Sequence, residues 1–127
     1  MKKGIVFIIS GPSGVGKTTI INEVIQRKKN VKLAISATTR SIRRGERDGK
    51  DYYFLSNEEF FKKIDKNEFL EWSVVFNNKY GTLKKEVDFF VNNNQHVILE
   101  IDIQGAEKVK KQIDSIISIF IVPPKIN

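Results

Sequence analysis

Residues 4–18 read Gly4-Ile-Val-Phe-Ile-Ile-Ser-Gly11-Pro-Ser-Gly-Val-Gly16-Lys17-Thr18. Gly4 to Ser10 is a near-continuous apolar run, the pattern of a parallel strand buried on both faces. Gly11 to Thr18 then fits G-x-x-x-x-G-K-[ST] in full. Glycines let the chain wrap closely around phosphate oxygens, so successive backbone N–H groups point inward at the anion. The helix after the loop presents its positive end to the same charge. Lys17 can reach the β- and γ-phosphates, and the Thr18 hydroxyl can ligate Mg²⁺. Thr18 to Arg27 places Ile20, Ile21, Val24 and Ile25 at helical spacing, and Lys28-Lys29-Asn30 ends the helix. Strand before and helix after is the context this motif requires. Gly11, Pro12, Ser13, Gly14, Val15, Gly16, Lys17 and Thr18 are therefore read as a nucleotide-phosphate loop.

The same alternation returns near the end of the chain. Val97 to Asp102 (VILEID) is an apolar strand ending in acids, Gly105 to Gln112 a helix, and Ile116 to Val122 a further buried strand. Apolar strands alternating with helices predict an α/β fold on a parallel sheet. Residues 1–32 and 95–127 form this core in our reading, and residues 33–94 form a small α+β insertion. Val31 to Ser36 reads as a strand, and Thr38 to Asp51, polar and basic with Gly45 and Gly49, as a long functional loop. Tyr52 to Leu55 is a short strand. Ser56 and Glu59 have the form of a capping box for a helix over Glu58 to Lys66. Phe69 to Phe76 is a strand turned by Asn77-Asn78 into Lys79 to Gly81, with a helix from Thr82 or Leu83 to Asn92.

Composition narrows the alternatives. A length of 127 residues suggests one domain able to bury a core without disulfides. With no cysteine the chain has no disulfide scaffold, no Cys-ligated zinc and no thiol nucleophile, which fits a reducing cytoplasm. No apolar run approaches the roughly 18 residues of a spanning helix. Met1-Lys2-Lys3 before Ile5 to Ile9 is not a signal peptide, because glycines and Lys17 come where a small-residue cleavage site belongs. The net charge of +7 suits nucleic acid, an acidic membrane or small phosphorylated substrates.

The segments beyond the loop point to a substrate class. Ser36-Ala-Thr-Thr-Arg40-Ser-Ile-Arg43-Arg44-Gly45-Glu46 is followed by Gly49-Lys-Asp51-Tyr52, Glu71-Trp72, Tyr80-Gly81-Thr82 and Glu100-Ile-Asp102-Ile-Gln104-Gly105. This ordered series resembles the guanylate kinase family, whose members transfer phosphate from ATP to GMP, and the resemblance runs from Met1 to Pro124. It implies a P-loop nucleoside monophosphate kinase fold, with the insertion as the GMP-binding subdomain. Ile42 departs from the proline usual in the family at that place.

The chemistry of these residues suits GMP even without the resemblance. A monophosphate dianion calls for Arg forks and hydroxyl donors, and Arg40, Arg43, Tyr52 and Tyr80 supply them. Guanine offers N–H donors at N1 and N2 and an acceptor at O6, so a selective pocket needs a carboxylate and a hydroxyl. The resemblance assigns Glu71 to the N1/N2 edge, Asp102 to the amino group, and Ser36 and Thr82 to O6, with Gly81 between Tyr80 and Thr82. Adenine would leave a buried Glu71 unpaired. Lys17, Arg40 and Arg43 are the expected catalytic cations. Thr18 is the expected Mg²⁺ ligand, with Asp102 reaching the ion through water. Phosphoryl transfer then needs positioning and charge neutralisation, not a protein nucleophile.

The remaining conspicuous residues have structural roles in this reading. His96 is expected to be exposed. Phe60, Phe61, Ile64 and Phe69 are expected to pack the insertion's core, and Lys108, Lys110 and Lys111 to form a solvated helix face. Val122-Pro123-Pro124 resembles the strand end that precedes the family's arginine-bearing lid and terminal strand and helix. From this we expect a chain that binds GMP but turns it over weakly or not at all. Two other classes fit the sequence less well. Phosphopeptide-binding modules of the guanylate kinase fold typically lose the phosphate loop, which is intact here. A nucleic-acid-binding protein would show aromatic residues interleaved with basic ones on a strand, and none does. Neither a nucleic-acid nor a membrane partner is expected.

Overall fold

Val6–Ser10 (β1) is one of the two inner strands of a four-stranded parallel sheet in this computed structural model, which describes residues 3–12 and 16–123. The other strands are Val31–Leu33 (β2), His96–Glu100 (β7) and Ile116–Phe120 (β8), in the order β2-β7-β1-β8. Val6 and Phe7 pair with Val97 and Ile98 on one side and with Ile116 and Ile117 on the other. β1 continues into a helix that leads to β2, beyond β7, whereas β7 leads through its own helix to β8, beyond β1. The connections therefore diverge at the carboxyl ends of β1 and β7. In open parallel sheets that divergence opens a ligand-binding crevice.

The two helices are Lys17–Arg27 (α1) and Ile103–Lys110 (α4). Strand alternation sends Phe7, Ile9 and Ile98 to one face, where Ile21, Val24 and Ile25 of α1 pack with Val31 and Leu33. Ile8, Val97 and Leu99 are fully buried on the opposite face, and α4 buries Ala106 and Val109. Reading from sequence started α4 two residues late. Asp102 caps it instead, its Oδ1 accepting the Gly105 N–H at 2.7 Å. β8 is an edge strand among the described residues, and Ile117, Ile119 and Phe120 remain exposed on it. No helix among the described residues is long and apolar enough to cross a membrane.

His96 is half-buried rather than exposed. Its Nδ1 accepts the Ile5 N–H at 2.9 Å and its ring meets Phe7 edge-on, so it splints the start of β1.

The chain divides into two compact units, residues 1–34 with 89–127 and residues 35–88. The second holds a separate sheet of Ala37–Thr38 (β3), Tyr53–Phe54 (β4), Phe69–Val75 (β5) and Asn78–Leu83 (β6), in the order β4-β3-β6-β5. Asn57–Asp65 (α2) carries the anticipated capping box: the Ser56 hydroxyl accepts the Glu59 N–H and the Glu59 carboxylate accepts the Ser56 N–H. α2 inserts Phe60, which is fully buried, against Ala37 and Phe69, with Ile64, Leu83 and Trp72 around them. Phe61 does not join this core; one position further round the helix, it is 64% exposed. The expected strand at residues 31–36 splits, because Ile35 and Ser36 leave β2 before β3 begins. The β5–β6 turn falls one residue earlier than expected, on Phe76 and Asn77, both with left-handed φ. Lys84–Asn92 (α3) comes after β6 and starts within this unit.

Candidate functional site

In the first unit the site is built where β1 gives way to α1. Gly11 has φ +147°, and a Cβ there would lie 2.4 Å from the Ile121 carbonyl oxygen; Gly16, before α1, has φ +89°. Both places demand glycine. The Lys17 ammonium donates to the Gly11 carbonyl at 2.6 Å, which ties the start of α1 to the residue after β1. Thr18 is exposed in the first turn of α1. Gly11 and Pro12 line an open cavity of about 600 Å³ together with Asp102, Ile103, Gln104 and Phe120. It lies at the diverging carboxyl ends of β1 and β7. Ser13, Gly14 and Val15 of the predicted loop lie outside the described residues.

The second unit gathers most of the other predicted residues into two clusters. Around Arg40, the guanidinium forks onto Glu46, with Nη1 to Oε1 at 3.0 Å and Nη2 to Oε2 at 2.8 Å. It lies over the rings of Tyr52 and Phe54, 5.1 and 5.8 Å from their centroids, and the Tyr52 and Tyr80 hydroxyls help to keep it charged. The Tyr52 and Tyr80 rings are 6.0 Å apart. Glu46 was not predicted as a site residue. It also accepts the Arg43 N–H at 2.8 Å, which folds the basic loop back on itself and leaves the Arg43 side chain exposed. Gly45 sits in that turn with φ +89°. Glu46 and the Ser41 carbonyl take three of the five guanidinium N–H groups, which leaves the Nε–H and one Nη2–H to meet a phosphate oxygen.

This pairing sets the charge states. The Arg40 hydrogen bonds, with the Arg43 N–H and the charges of both arginines, pull the Glu46 carboxyl down to about 2, and Arg40 is pushed above its already high value. Because the folded value of Glu46 lies below its unfolded one, the pair's contribution is complete above the ordinary carboxylate range and fades as pH falls toward 2. The expected result is a loop of residues 40–51 that stays ordered down to about pH 4.5 and loosens below it. Amide exchange of the Arg43 and Glu46 N–H groups across pH 2–6 checks this, and pH-independent protection would refute it.

The second cluster is buried. Glu71, only 8% exposed on β5, accepts the Thr82 hydroxyl of β6 at 2.9 Å. Gly81 sits between Tyr80 and Thr82 because a Cβ there would lie 2.7 Å from the Phe69 ring. Ser36 precedes β3 and is half-buried; its carbonyl accepts the Tyr53 N–H at 2.9 Å. Asp102 belongs to the first unit, with the cavity residues, and not to these clusters.

Sequence reading missed Glu86. Its Oε2 accepts the Ile35 N–H at 2.6 Å and its Oε1 the Tyr53 hydroxyl at 2.5 Å. Burial raises its carboxyl and pushes the Tyr53 hydroxyl up to about 12, their mutual bond adding to the Tyr53 shift. Within Lys84-Lys85-Glu86-Val87 nothing separates it from a solvated helix face, apart from its place beside the buried Val87.

A sequence model described as guanylate kinase matches residues 3–127. The chain belongs to the guanylate kinase family. It is 48% identical over 122 residues to the guanylate kinase of Thermotoga maritima, covering 96% of this chain and 59% of that one. It is 50% identical over 127 residues to the guanylate kinase of Carboxydothermus hydrogenoformans, covering 100% of this chain and 62% of the relative. The crystal structure of guanylate kinase from Anaplasma phagocytophilum superposes with a TM-score of 0.79 at 35% identity, over 98% of this chain and 63% of that one. The chain thus spans about 60% of the length of the guanylate kinases it matches. Its parallel sheet with flanking helices is the α/β core of a P-loop kinase.

Proposed function

We propose that this chain carries the phosphate loop and acceptor site of an ATP:GMP phosphotransferase. The observation that carries the reading is the pairing of two clusters on one small sheet. Buried Glu71 with Thr82 suits the guanine donor edge, and Arg40 with Tyr52 and Tyr80 suits a monophosphate. Arg43, next along the loop, adds a second cation for that phosphate, and Ser36 a hydroxyl toward O6. ATP phosphates would lie on Gly11 to Thr18 in the first unit, neutralised by Lys17 and by the positive end of α1.

Lys17, now drawn onto the Gly11 carbonyl, would exchange that oxygen for a phosphate oxygen. Mg²⁺ fits here because the exposed Thr18 hydroxyl is the hard oxygen donor the ion accepts. When bound, the ion neutralises phosphate charge. Asp102, whose Oδ1 caps α4, remains a candidate for a water-mediated contact. Arg40 and Arg43 orient the acceptor phosphate and hold its charge. In this mechanism no side chain is phosphorylated.

GMP binding is the discriminating readout, since most groups assigned to it lie in residues 35–88 while the chain spans about 60% of its relatives' length. Calorimetry with GMP, AMP and Mg·ATP is expected to show GMP binding preferred over AMP by at least about a hundredfold. Lys17→Ala should weaken Mg·ATP by about a hundredfold and leave GMP affinity unchanged. Equal affinity for GMP and AMP would overturn the acceptor assignment. An equal loss of GMP binding in Lys17→Ala would show the two sites wrongly partitioned.

A further inference from the structure

We infer that Glu86 is a positioning residue that couples the guanine end and the phosphate end of the acceptor site; the inference rests on the GMP reading above. Its two carboxylate oxygens hold two different segments. Oε2 takes the N–H of Ile35, immediately before Ser36, and Oε1 takes the hydroxyl of Tyr53, immediately after Tyr52. Tyr53 is also tied by its N–H to the Ser36 carbonyl, so Glu86, Tyr53 and the adjoining pair Ile35-Ser36 close a ring through three hydrogen bonds. Glu86 itself stands in the first turn of α3, four residues after Thr82.

The chemistry of this node favours a carboxylate. Ile35 N–H and Tyr53 O–H are both donors, and both are held in partly buried surroundings. A single side chain that accepts from both, one per oxygen, is Asp or Glu in its ionised form. Neither Ile35 nor Tyr53 is placed against GMP, so the node acts through its neighbours. Through Ile35 it sets the approach of Ser36 to the base. Through Tyr53 it sets Tyr52, on whose ring the Arg40 guanidinium rests. Removing the whole carboxylate should disturb both ends of the site, whereas removing only the Tyr53 hydroxyl should disturb the phosphate end.

The test compares GMP and guanosine binding to the wild-type chain and to Glu86→Ala, Glu86→Gln, Tyr53→Phe and Val87→Ala. Glu86→Ala leaves two donors unpaired and is expected to weaken GMP by about tenfold or more and guanosine by several-fold. Tyr53→Phe should weaken GMP by roughly threefold to tenfold and leave guanosine unchanged. Glu86→Gln should stay within about threefold of wild type, because its amide oxygen accepts from Ile35 and its NH₂ donates to a rotated Tyr53 hydroxyl. Val87→Ala, a cavity on the same helix turn, should lower the melting temperature without changing either affinity.

Two results overturn the role of Glu86 alone. One is GMP bound by wild type and left within about twofold by Glu86→Ala; the other is GMP and guanosine weakened equally by Tyr53→Phe. Should Glu86→Ala fail to fold, the Tyr53→Phe split decides. A wild-type chain that does not bind GMP overturns the acceptor reading, and the role of Glu86 with it.

Discussion

Glu71→Ala is expected to lower GMP affinity by about a thousandfold and to erase the preference for GMP over AMP. The carboxylate is 8% exposed and its Oε2 is held by the Thr82 hydroxyl, so its direction is fixed before any ligand arrives. Guanine presents two adjacent N–H donors, and a buried anion is the strongest acceptor that can be offered to them. Alanine leaves those donors without an acceptor beside buried residues, while adenine loses nothing it had. The two affinities therefore converge. Glu71→Gln should fall between, since an amide offers one acceptor and turns an NH₂ toward a donor. The fold is expected to survive with a lowered melting temperature, because the buried Thr82 hydroxyl loses its acceptor while the desolvation cost of a carboxylate is removed. Calorimetry together with a melting curve checks the pair of claims. A folded Glu71→Ala chain that still prefers GMP by more than about tenfold would contradict the assignment.

Phe60→Ala carries the largest expected effect on stability, about 3–5 kcal/mol. Phe60 is fully buried, stacks on Phe69 at 4.5 Å and meets Trp72 edge-on at 6.3 Å. It is the only α2 residue that is fully buried, so without it that helix has little holding it to the sheet of residues 35–88. A unit this small has few other apolar contacts to compensate. The expected consequence is loss of amide protection across β3 to β6, while β1 and β7 of the parallel sheet keep theirs. Hydrogen exchange read residue by residue checks this. Uniform loss of protection across both units would show that they unfold as one.

Features whose cause lies within a few residues were legible in the sequence. The glycines Gly11 and Gly16 between β1 and α1, the apolar strands of the parallel sheet and the Ser56–Glu59 capping box all depend on local spacing. Helical phase misled once: Phe60 and Phe61 read alike, yet adjacent positions on a helix point about 100° apart and only Phe60 faces Phe69. The capping role of Asp102 was hidden because a residue ending an acidic strand and one opening a helix look the same until the helix start is known. Pairings between distant segments could not be read. Glu46 was visible only as one more charge in a charged loop, and Glu86 only as a helix-face acid. Both are defined by partners that the folding of residues 35–88 brings to them. The net charge was read as suiting nucleic acid, an acidic membrane or small phosphorylated substrates, yet within residues 35–88, where most of the expected acceptor residues lie, Lys and Arg outnumber Asp and Glu by only one. The excess lies mainly in the other unit.

The bond from Ile35 to Glu86 joins the first residue of the second unit to one near its last, 51 positions later. A segment whose two ends are held within one hydrogen bond of each other has its loop already closed, so changes of length inside it alter the closure entropy little. The region of residues 35–88 is in that sense a cassette, whose recognition residues are held by partners within the same unit.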